Sequence, residues 1–203
     1  MPRIVDGLKK ISFVSLGCAK NLVDSEVILG RLATAGWALC EEAADADVVV
    51  VNTCGFLQAA RAESIDAVKH VLDLRDAGRI RGVVVAGCLP QRLPGVASAE
   101  AGDGGEAAIA LARADAVLGS DSREHIVETC EAILNGGVRD RVRVSAELPR
   151  YEVDRARLRL TPRHTAYVRL SEGCSHTCAF CIIPSIKGRF RSKPMEILIE
   201  EAR

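Results

Sequence analysis

Short valine-rich runs alternate with longer segments of helical periodicity along the chain. A continuous apolar run is typical of a strand buried on both faces of a parallel sheet, and apolar residues three or four positions apart are typical of a helix that covers such a sheet. The alternation predicts an α/β fold with an N-terminal, mostly parallel, doubly wound sheet. The predicted strands are 11–17, 48–52, 83–86 and 116–118, and the predicted helices are 24–36, 58–75 and 125–134.

The pattern changes in two other parts of the chain. Residues 95–108 are rich in glycine and alanine, which predicts a surface loop. Residues 138–165 are arginine-rich and irregular, which predicts a linker between a domain at 1–137 and the beginning of a second domain at 166–203. A strand at 166–170 and a short helix that Pro194 begins are predicted in this last part.

The composition excludes several classes of protein. The chain has 203 residues, of which 48% are hydrophobic, enough to bury a core. Basic and acidic residues number 27 each, so the net charge gives no general attraction to nucleic acid or membranes. The sequence shows no cleavable leader and no apolar run of about 20 residues, and we therefore expect a cytoplasmic protein. In a reducing compartment, its eight cysteines favour metal or redox chemistry over disulfides.

Three cysteines, Cys18, Cys54 and Cys88, lie at the carboxyl ends of predicted strands. Ligands bind at the carboxyl ends of the strands in open parallel sheets, so these thiols are predicted to meet in one crevice. Neighbouring glycines would let the backbone approach a bulky ligand. One alternative is that these cysteines are buried and purely structural. Another is that they bind zinc, but a structural zinc ion normally takes four protein ligands. An iron–sulfur cluster with one open iron fits three cysteines better.

A second group, Cys174, Cys178 and Cys181, has the spacing C-x3-C-x2-C. Three thiolates in one loop can hold three corners of a cubane cluster and leave the fourth iron free for a small molecule. Zinc with His176 as a fourth ligand is the alternative, although a histidine inside the loop is more typical of a solvent-facing residue.

The spacing resembles the signature of radical S-adenosylmethionine (SAM) enzymes, and four segments together resemble the methylthiotransferase family. These segments are SLGCAKNLVDSE at 15–26, NTCGFLQAARAES at 52–64, AGCLPQR at 86–92 and SEGCSHTCAFCIIPSIKGRFRSKP at 171–194. The amino-acid sequences of the first, second and last segments are similar to those of the branch that modifies an aspartate of ribosomal protein S12. The tRNA-modifying branch more often has GCQMN and IVPY at the corresponding places.

The resemblance implies the start of a radical SAM (β/α) partial barrel after the linker, two 4Fe-4S clusters and SAM as cofactors. Cys174, Cys178 and Cys181 would hold the catalytic cluster, Phe180 would pack near the adenine of SAM unless it is a core aromatic, and Cys18, Cys54 and Cys88 would hold the second cluster. The implied reaction transfers a methylthio group to the β-carbon of an aspartate of ribosomal protein S12. The implied partners are S12 or the small ribosomal subunit and an electron donor of the flavodoxin or ferredoxin type. The resemblance also allows direct contact with RNA, and it implies no binding to a membrane.

The resemblance leaves two alternatives: a tRNA adenosine methylthiotransferase, and an iron–sulfur fragment without catalysis. The second arises because the sequence ends early in the implied barrel, and we expect little activity from this chain alone.

The remaining candidates have simpler interpretations. Cys40 and Cys130 are predicted to be packed or free thiols, and His70, His125 and His164 to have surface or helix roles. Asp24 and Glu26 are interpreted as residues at the start of a helix. A basic run is predicted either to lie in a solvated loop or to face the ribosome; its members are Lys187, Arg189, Arg191 and Lys193.

Overall fold

A six-stranded parallel sheet forms the centre of the computed structural model, which describes residues 8–93, 105–120, 122–145 and 157–203. The strands are β1 (Lys10–Ser15), β2 (Ala38–Leu39), β3 (Val48–Thr53), β4 (Gly82–Gly87), β5 (Ala116–Gly119) and β6 (Val142–Arg143). Their order in the sheet is β2-β1-β3-β4-β5-β6, and every neighbouring pair is parallel. The predicted α/β class with a parallel sheet is confirmed.

Helices cover both faces of this sheet. They are α1 (Ala19–Thr34), α2 (Gln58–Asp76), α3 (Cys88–Arg92), α4 (Gly105–Arg113) and α5 (Ile126–Leu134), with short 3₁₀ turns at Ala43–Asp45 and Arg123–His125. One core contains apolar residues of α2 and α4, and the other contains apolar residues of α1 and α5. The sheet is therefore doubly wound, as the alternating pattern predicts.

The valines of β3 explain why both faces are covered. Val48 and Val50 belong to the core under α1 and α5, whereas Val49 and Val51 belong to the core under α2 and α4. All four are fully buried, and burying a valine side chain stabilises the fold by about 1.5–3 kcal/mol. A strand with apolar side chains on both faces is stable only between two layers of helices.

Residues 157–203 form a smaller arrangement that packs on α1. It contains the antiparallel pair β7 (Ser171–Glu172) and β8 (Arg191–Ser192), with α6 (Ile183–Lys187) between them and α7 (Met195–Ala202) after them. The backbone N–H of Leu158 donates to the carbonyl of Glu26, and the ammonium of Lys20 donates to the carbonyl of Ser171. The barrel and the domain limits that the sequence suggests stay predictions.

Several predicted boundaries were wrong. Helix α1 begins at Ala19 rather than near residue 24, and Cys18 is its N-cap. The strand predicted at 166–170 is absent from the described residues, because strand pairing begins only at Ser171. Strand β6 lies inside the predicted linker. The described end of the predicted loop 95–108 belongs to α4, while 95–104 lies outside the described residues.

In the described ranges, no helix combines the length and the apolar character needed to cross a membrane.

Candidate functional site

The three strand-end cysteines lie at the same edge of the sheet. Cys18 follows β1, Cys54 directly follows β3, and Cys88 directly follows β4 as the first residue of α3. These strands are neighbours in the order β1-β3-β4, so their carboxyl ends lie side by side. A Cβ atom built on Gly17 would lie 3.3 Å from the Sγ atom of Cys54, which places the chain before Cys18 directly against Cys54. The three strand ends therefore lie side by side, and the meeting of the three thiols in one crevice stays a prediction.

Two glycines beside these cysteines allow close packing of the loops at the strand ends. A Cβ atom on Gly55 would lie 2.4 Å from the carbonyl oxygen of Cys88, and one on Gly87 would lie 2.3 Å from Oδ1 of Asn52. Both distances are far below van der Waals contact, so the missing side chains let the loops pack on each other. This packing holds the strand-end loops together, and the predicted approach of the backbone to a ligand stays a prediction.

Buried polar side chains fix the ends of the strands to the first turns of α1. The Nδ2 of Asn52 donates to the carbonyl of Asn21 (3.0 Å) and to Oγ of Ser25 (2.8 Å). The Nδ2 of Asn21 donates in turn to the carbonyl of Leu16 at 2.6 Å. Buried amide groups need such partners, and these bonds hold the backbone on either side of Cys18 in place.

Cys54 and Cys88 are more enclosed than Cys18. Cys54 is 8% exposed, and its backbone N–H donates to Oγ of Ser64 at 3.0 Å, whereas Cys18 is exposed. Burial raises the pKa of the Cys88 thiol to about 11, against an opposing effect of the Lys187 ammonium. Cys88 is therefore protonated at neutral pH unless a metal cation displaces the proton, as metal ions do at coordinating thiols.

The C-x3-C-x2-C loop lies in the second arrangement, framed by β7 and β8. The backbone N–H of Cys174 donates to the carbonyl of Gly188, and that of Cys181 donates to the carbonyl of Cys178. Gly173 has a φ angle of +73°, and a Cβ atom there would lie 2.3 Å from the carbonyl oxygen of Arg189. The loop is thus closed by backbone contacts at its base.

The tip of this loop faces solvent. Cys178 is exposed, Cys174 and Cys181 are half-buried, and His176 is exposed as its position inside the loop predicts. Phe180 is 92% exposed, so the alternative interpretation of a core aromatic was wrong. Its predicted place near an adenine stays a prediction.

The donor set of both cysteine groups fits iron–sulfur ligation in its chemistry. All eight cysteines are free thiols, and three thiolates in a group are the ligands that such clusters require. In the described part of the chain, however, no three side chains of cysteine, histidine, aspartate or glutamate are already arranged to hold a metal ion.

A buried cluster of charges lies beside the strand-end cysteines. Asp24 accepts from Arg123 at 2.8 Å, from Arg169 at 2.5 Å and from Lys187 at 3.3 Å. Burial disfavours the charged carboxylate, but the three cations outweigh burial and hold the pKa of Asp24 well below its ordinary value. For Lys187, burial is likewise outweighed, chiefly by Asp24, and its pKa is raised.

These contacts correct two interpretations made from the sequence. Asp24 and Glu26 lie inside α1 and pair with distant residues; Glu26, fully buried, binds Arg157 at 2.5 Å and the N–H of Leu160 at 2.8 Å. In the basic run, Lys193 is buried and Lys187 is half-buried, and both are ion-paired rather than solvated. The available signal was helical spacing, because Asp24 precedes the apolar Val27 and Ile28 by three and four residues and shares their face.

The other isolated cysteines differ from each other. Cys130 is fully buried in α5, in agreement with a packed thiol, and burial raises its pKa to about 12. Cys40 is half-buried, and its Sγ donates to the carbonyl of Ile11 at 3.4 Å.

The fold and the two groups of free thiols define an α/β protein with two groups of candidate metal ligands, and comparison with known proteins shows what the chain is similar to. Residues 10–104 match a family model described as "Uncharacterized protein family UPF0004". The resemblance to the methylthiotransferase family is confirmed over almost the whole chain by relatives named "Ribosomal protein uS12 methylthiotransferase RimO".

Three of these relatives show the extent of the similarity. The Geobacter sulfurreducens protein is 39% identical over 197 residues, which cover 96% of this chain and 41% of the relative. The Thermosynechococcus vestitus protein is 42% identical over 195 residues, 95% of this chain and 40% of the relative. The Symbiobacterium thermophilum protein is 39% identical over 194 residues, 96% of this chain and 38% of the relative. The chain thus spans about two fifths of the length of these relatives.

Proposed function

We propose that the protein transfers a methylthio group to the β-carbon of an aspartate of ribosomal protein S12 by radical SAM chemistry. The observation that carries this proposal is the similarity of 96% of the chain to a protein named as a uS12 methylthiotransferase. The chain also has both cysteine groups in motifs that resemble the same family.

Each cysteine group has its own role in this proposal. Cys174, Cys178 and Cys181 would hold the cluster that binds SAM, and Cys18, Cys54 and Cys88 would hold the second cluster. When bound, the clusters and SAM supply the radical that takes hydrogen from the substrate carbon and the sulfur that is delivered to it.

The protein itself contributes position and shielding. The glycine contacts and the Asn21–Asn52 bonds hold the three strand ends together, and the burial of Cys54 limits access of water to that group. At the other group, the exposed Phe180 next to Cys181 offers an aromatic face on which the adenine of SAM would pack. The external partners would be S12 or the small ribosomal subunit and a flavodoxin- or ferredoxin-type electron donor.

Mass spectrometry of ribosomal protein S12 and of tRNA nucleosides tests the choice of substrate. Both are isolated from a deletion strain and from the same strain complemented with the full-length protein. We expect S12 to gain the mass of one methylthio group in the complemented strain, with no change in tRNA. A Cys178→Ala variant should abolish the modification, and Cys40→Ala, which changes a cysteine outside both groups, should preserve it.

The outcomes separate the candidate functions. Unmodified S12 together with methylthiolated adenosine in tRNA would assign the protein to the tRNA-modifying branch. No modification of either, with iron still bound, would favour an iron–sulfur module without catalysis.

A further inference from the structure

Lys187 lies between the two cysteine groups. It is the last residue of α6, and its Nζ atom is 3.3 Å from Oδ2 of Asp24. Asp24 belongs to α1, whose N-cap is Cys18, and α6 packs against α3, which begins at Cys88. The ammonium group is therefore held where the helices that follow two strand-end cysteines meet the second arrangement.

The backbone next to Lys187 also contacts the second cysteine group. The carbonyl oxygen of Gly188 accepts the N–H of Cys174 at 3.0 Å, and this bond closes the base of the C-x3-C-x2-C loop. Whatever fixes the end of α6 therefore also fixes the base of this loop. The ion pair between Lys187 and Asp24 fixes the end of α6 to α1, and it thereby also holds the base of the loop in place.

An enclosed lysine side chain requires a partner of opposite charge, because removing an ammonium group from water is costly unless the group is paired. The side chain of Lys187 is 11% exposed and that of Asp24 is 5% exposed, so the pair is enclosed by protein. The charge of Lys187 also acts on Cys88, with which it interacts electrostatically. In an enclosed site, such an interaction is weakly screened.

We propose that Lys187 is a positioning residue shared by the two cysteine groups: Asp24 fixes its ammonium group beside the strand-end cysteines, and the adjoining Gly188 thereby holds the C-x3-C-x2-C loop next to them. This inference rests on the proposed function for the identity of the bound group, because three thiolates and a cluster would place negative charge beside the ammonium. A nearby cation stabilises the more negative, reduced state and makes the reduction potential less negative. Lys187 would thus set both the placement of the C-x3-C-x2-C loop and the reduction potential of a cluster on the strand-end cysteines.

Hydrogen exchange of the metal-free chain tests the placement. In Lys187→Met, which keeps the length of the side chain and removes its charge, amide exchange at residues 174–188 should accelerate by about tenfold. Lys187→Arg should exchange almost as slowly as the parent chain. Lys193→Met is the matched control, because Lys193 is a second enclosed and paired lysine of this segment but binds Glu201 on α7. The effect of this substitution should be confined to 195–202.

The reduction potential tests the charge. In the chain with Cys174, Cys178 and Cys181 replaced by alanine, only the strand-end group can hold a reconstituted cluster. Redox titration followed by electron paramagnetic resonance should give a more negative midpoint potential for Lys187→Met than for the parent, with Lys187→Arg and Lys193→Met close to the parent. Unchanged exchange at 174–188 in Lys187→Met, or an unchanged potential, overturns the inference. A parent chain that binds no iron overturns the proposed function instead, and hydrogen exchange then still decides the placement of Lys187.

Discussion

At the scale of single residues, Asp24 shows why local patterns misjudge buried charges. Its sequence neighbours suggest the start of a helix, yet its partners Arg123, Arg169 and Lys187 are 99, 145 and 163 residues away in the chain. Helical spacing places Asp24 on the buried face of α1, but only the folded chain shows what neutralises it. The role of Asp24 therefore depends on tertiary contacts that no local pattern contains.

Replacement of Asp24 by asparagine should strongly destabilise the protein. The substitution keeps the shape of the side chain but leaves three buried or half-buried cations without their shared carboxylate. Breaking a buried ion pair in this way typically costs about 3–5 kcal/mol. Urea unfolding at pH 7, followed by circular dichroism, should show a loss of this size in the free energy of unfolding.

The difference in the free energy of unfolding between the parent protein and Asp24→Asn should change with pH in a defined direction. Because the pKa of Asp24 in the folded protein lies below its ordinary value of 3.8, the stabilisation is complete above that pH and is lost as the pH falls below it. The gap between parent and variant should therefore narrow in acid. Asp76→Asn is the matched control, because Asp76 also binds two arginines, Arg75 and Arg113, but at the surface, and its effect should be much smaller. Equal effects of the two substitutions at pH 7 would contradict the interpretation of Asp24.

At the scale of elements, periodicity predicted the long, well-covered elements and missed those that depend on a partner. The apolar runs of β3 and β4 and the helical spacing of α2 can be recognised in the sequence, because buried positions leave a regular pattern of apolar residues. The two-residue strand β6 is too short to show a pattern. Residues 166–170 are mostly apolar, as in a strand. A strand also needs a neighbour with free hydrogen-bonding groups, and in this segment pairing begins only at Ser171–Glu172.

The junction between β4 and α3 should be especially sensitive to a side chain. Gly87 has a φ angle of +99°, and a Cβ atom would meet Oδ1 of Asn52 at 2.3 Å and the carbonyl oxygen of Thr53 at 2.7 Å. We expect Gly87→Ala to lower the free energy of unfolding by about 2 kcal/mol or more, since backbone strain alone costs about 1–3 kcal/mol. Chemical denaturation measures this loss.

Gly78→Ala separates strain from crowding. Gly78 has a φ angle of +69° but nothing within 4 Å of the Cβ position, so this variant should lose only about 1 kcal/mol. If both glycine variants lost the same stability, the close packing at the end of β4 would not be the reason for Gly87.

At the scale of the whole molecule, the sequence identifies each cysteine group but not their relation. The spacing C-x3-C-x2-C and the three strand-end positions are visible in the chain, and the order β1-β3-β4 explains why three cysteines that are distant in sequence lie at neighbouring strand ends. The packing of residues 157–203 on α1 depends instead on long-range pairs such as Arg157 with Glu26 and Lys187 with Asp24. Each of these side chains taken alone looks like an ordinary charged residue, so no motif reveals the pair.

Iron analysis after anaerobic reconstitution tests whether the two cysteine groups are independent cluster sites. In full-length protein we expect two clusters and about eight iron atoms per chain. Replacing Cys18, Cys54 and Cys88 by alanine should remove about four of them, and replacing Cys174, Cys178 and Cys181 should remove the other four. A Cys40→Ala, Cys130→Ala double variant, which changes the two cysteines outside both groups, should keep the full iron content. One cluster whichever group is changed, or zinc in place of iron, would refute the assignment, because each group of thiols would then not bind a cluster of its own.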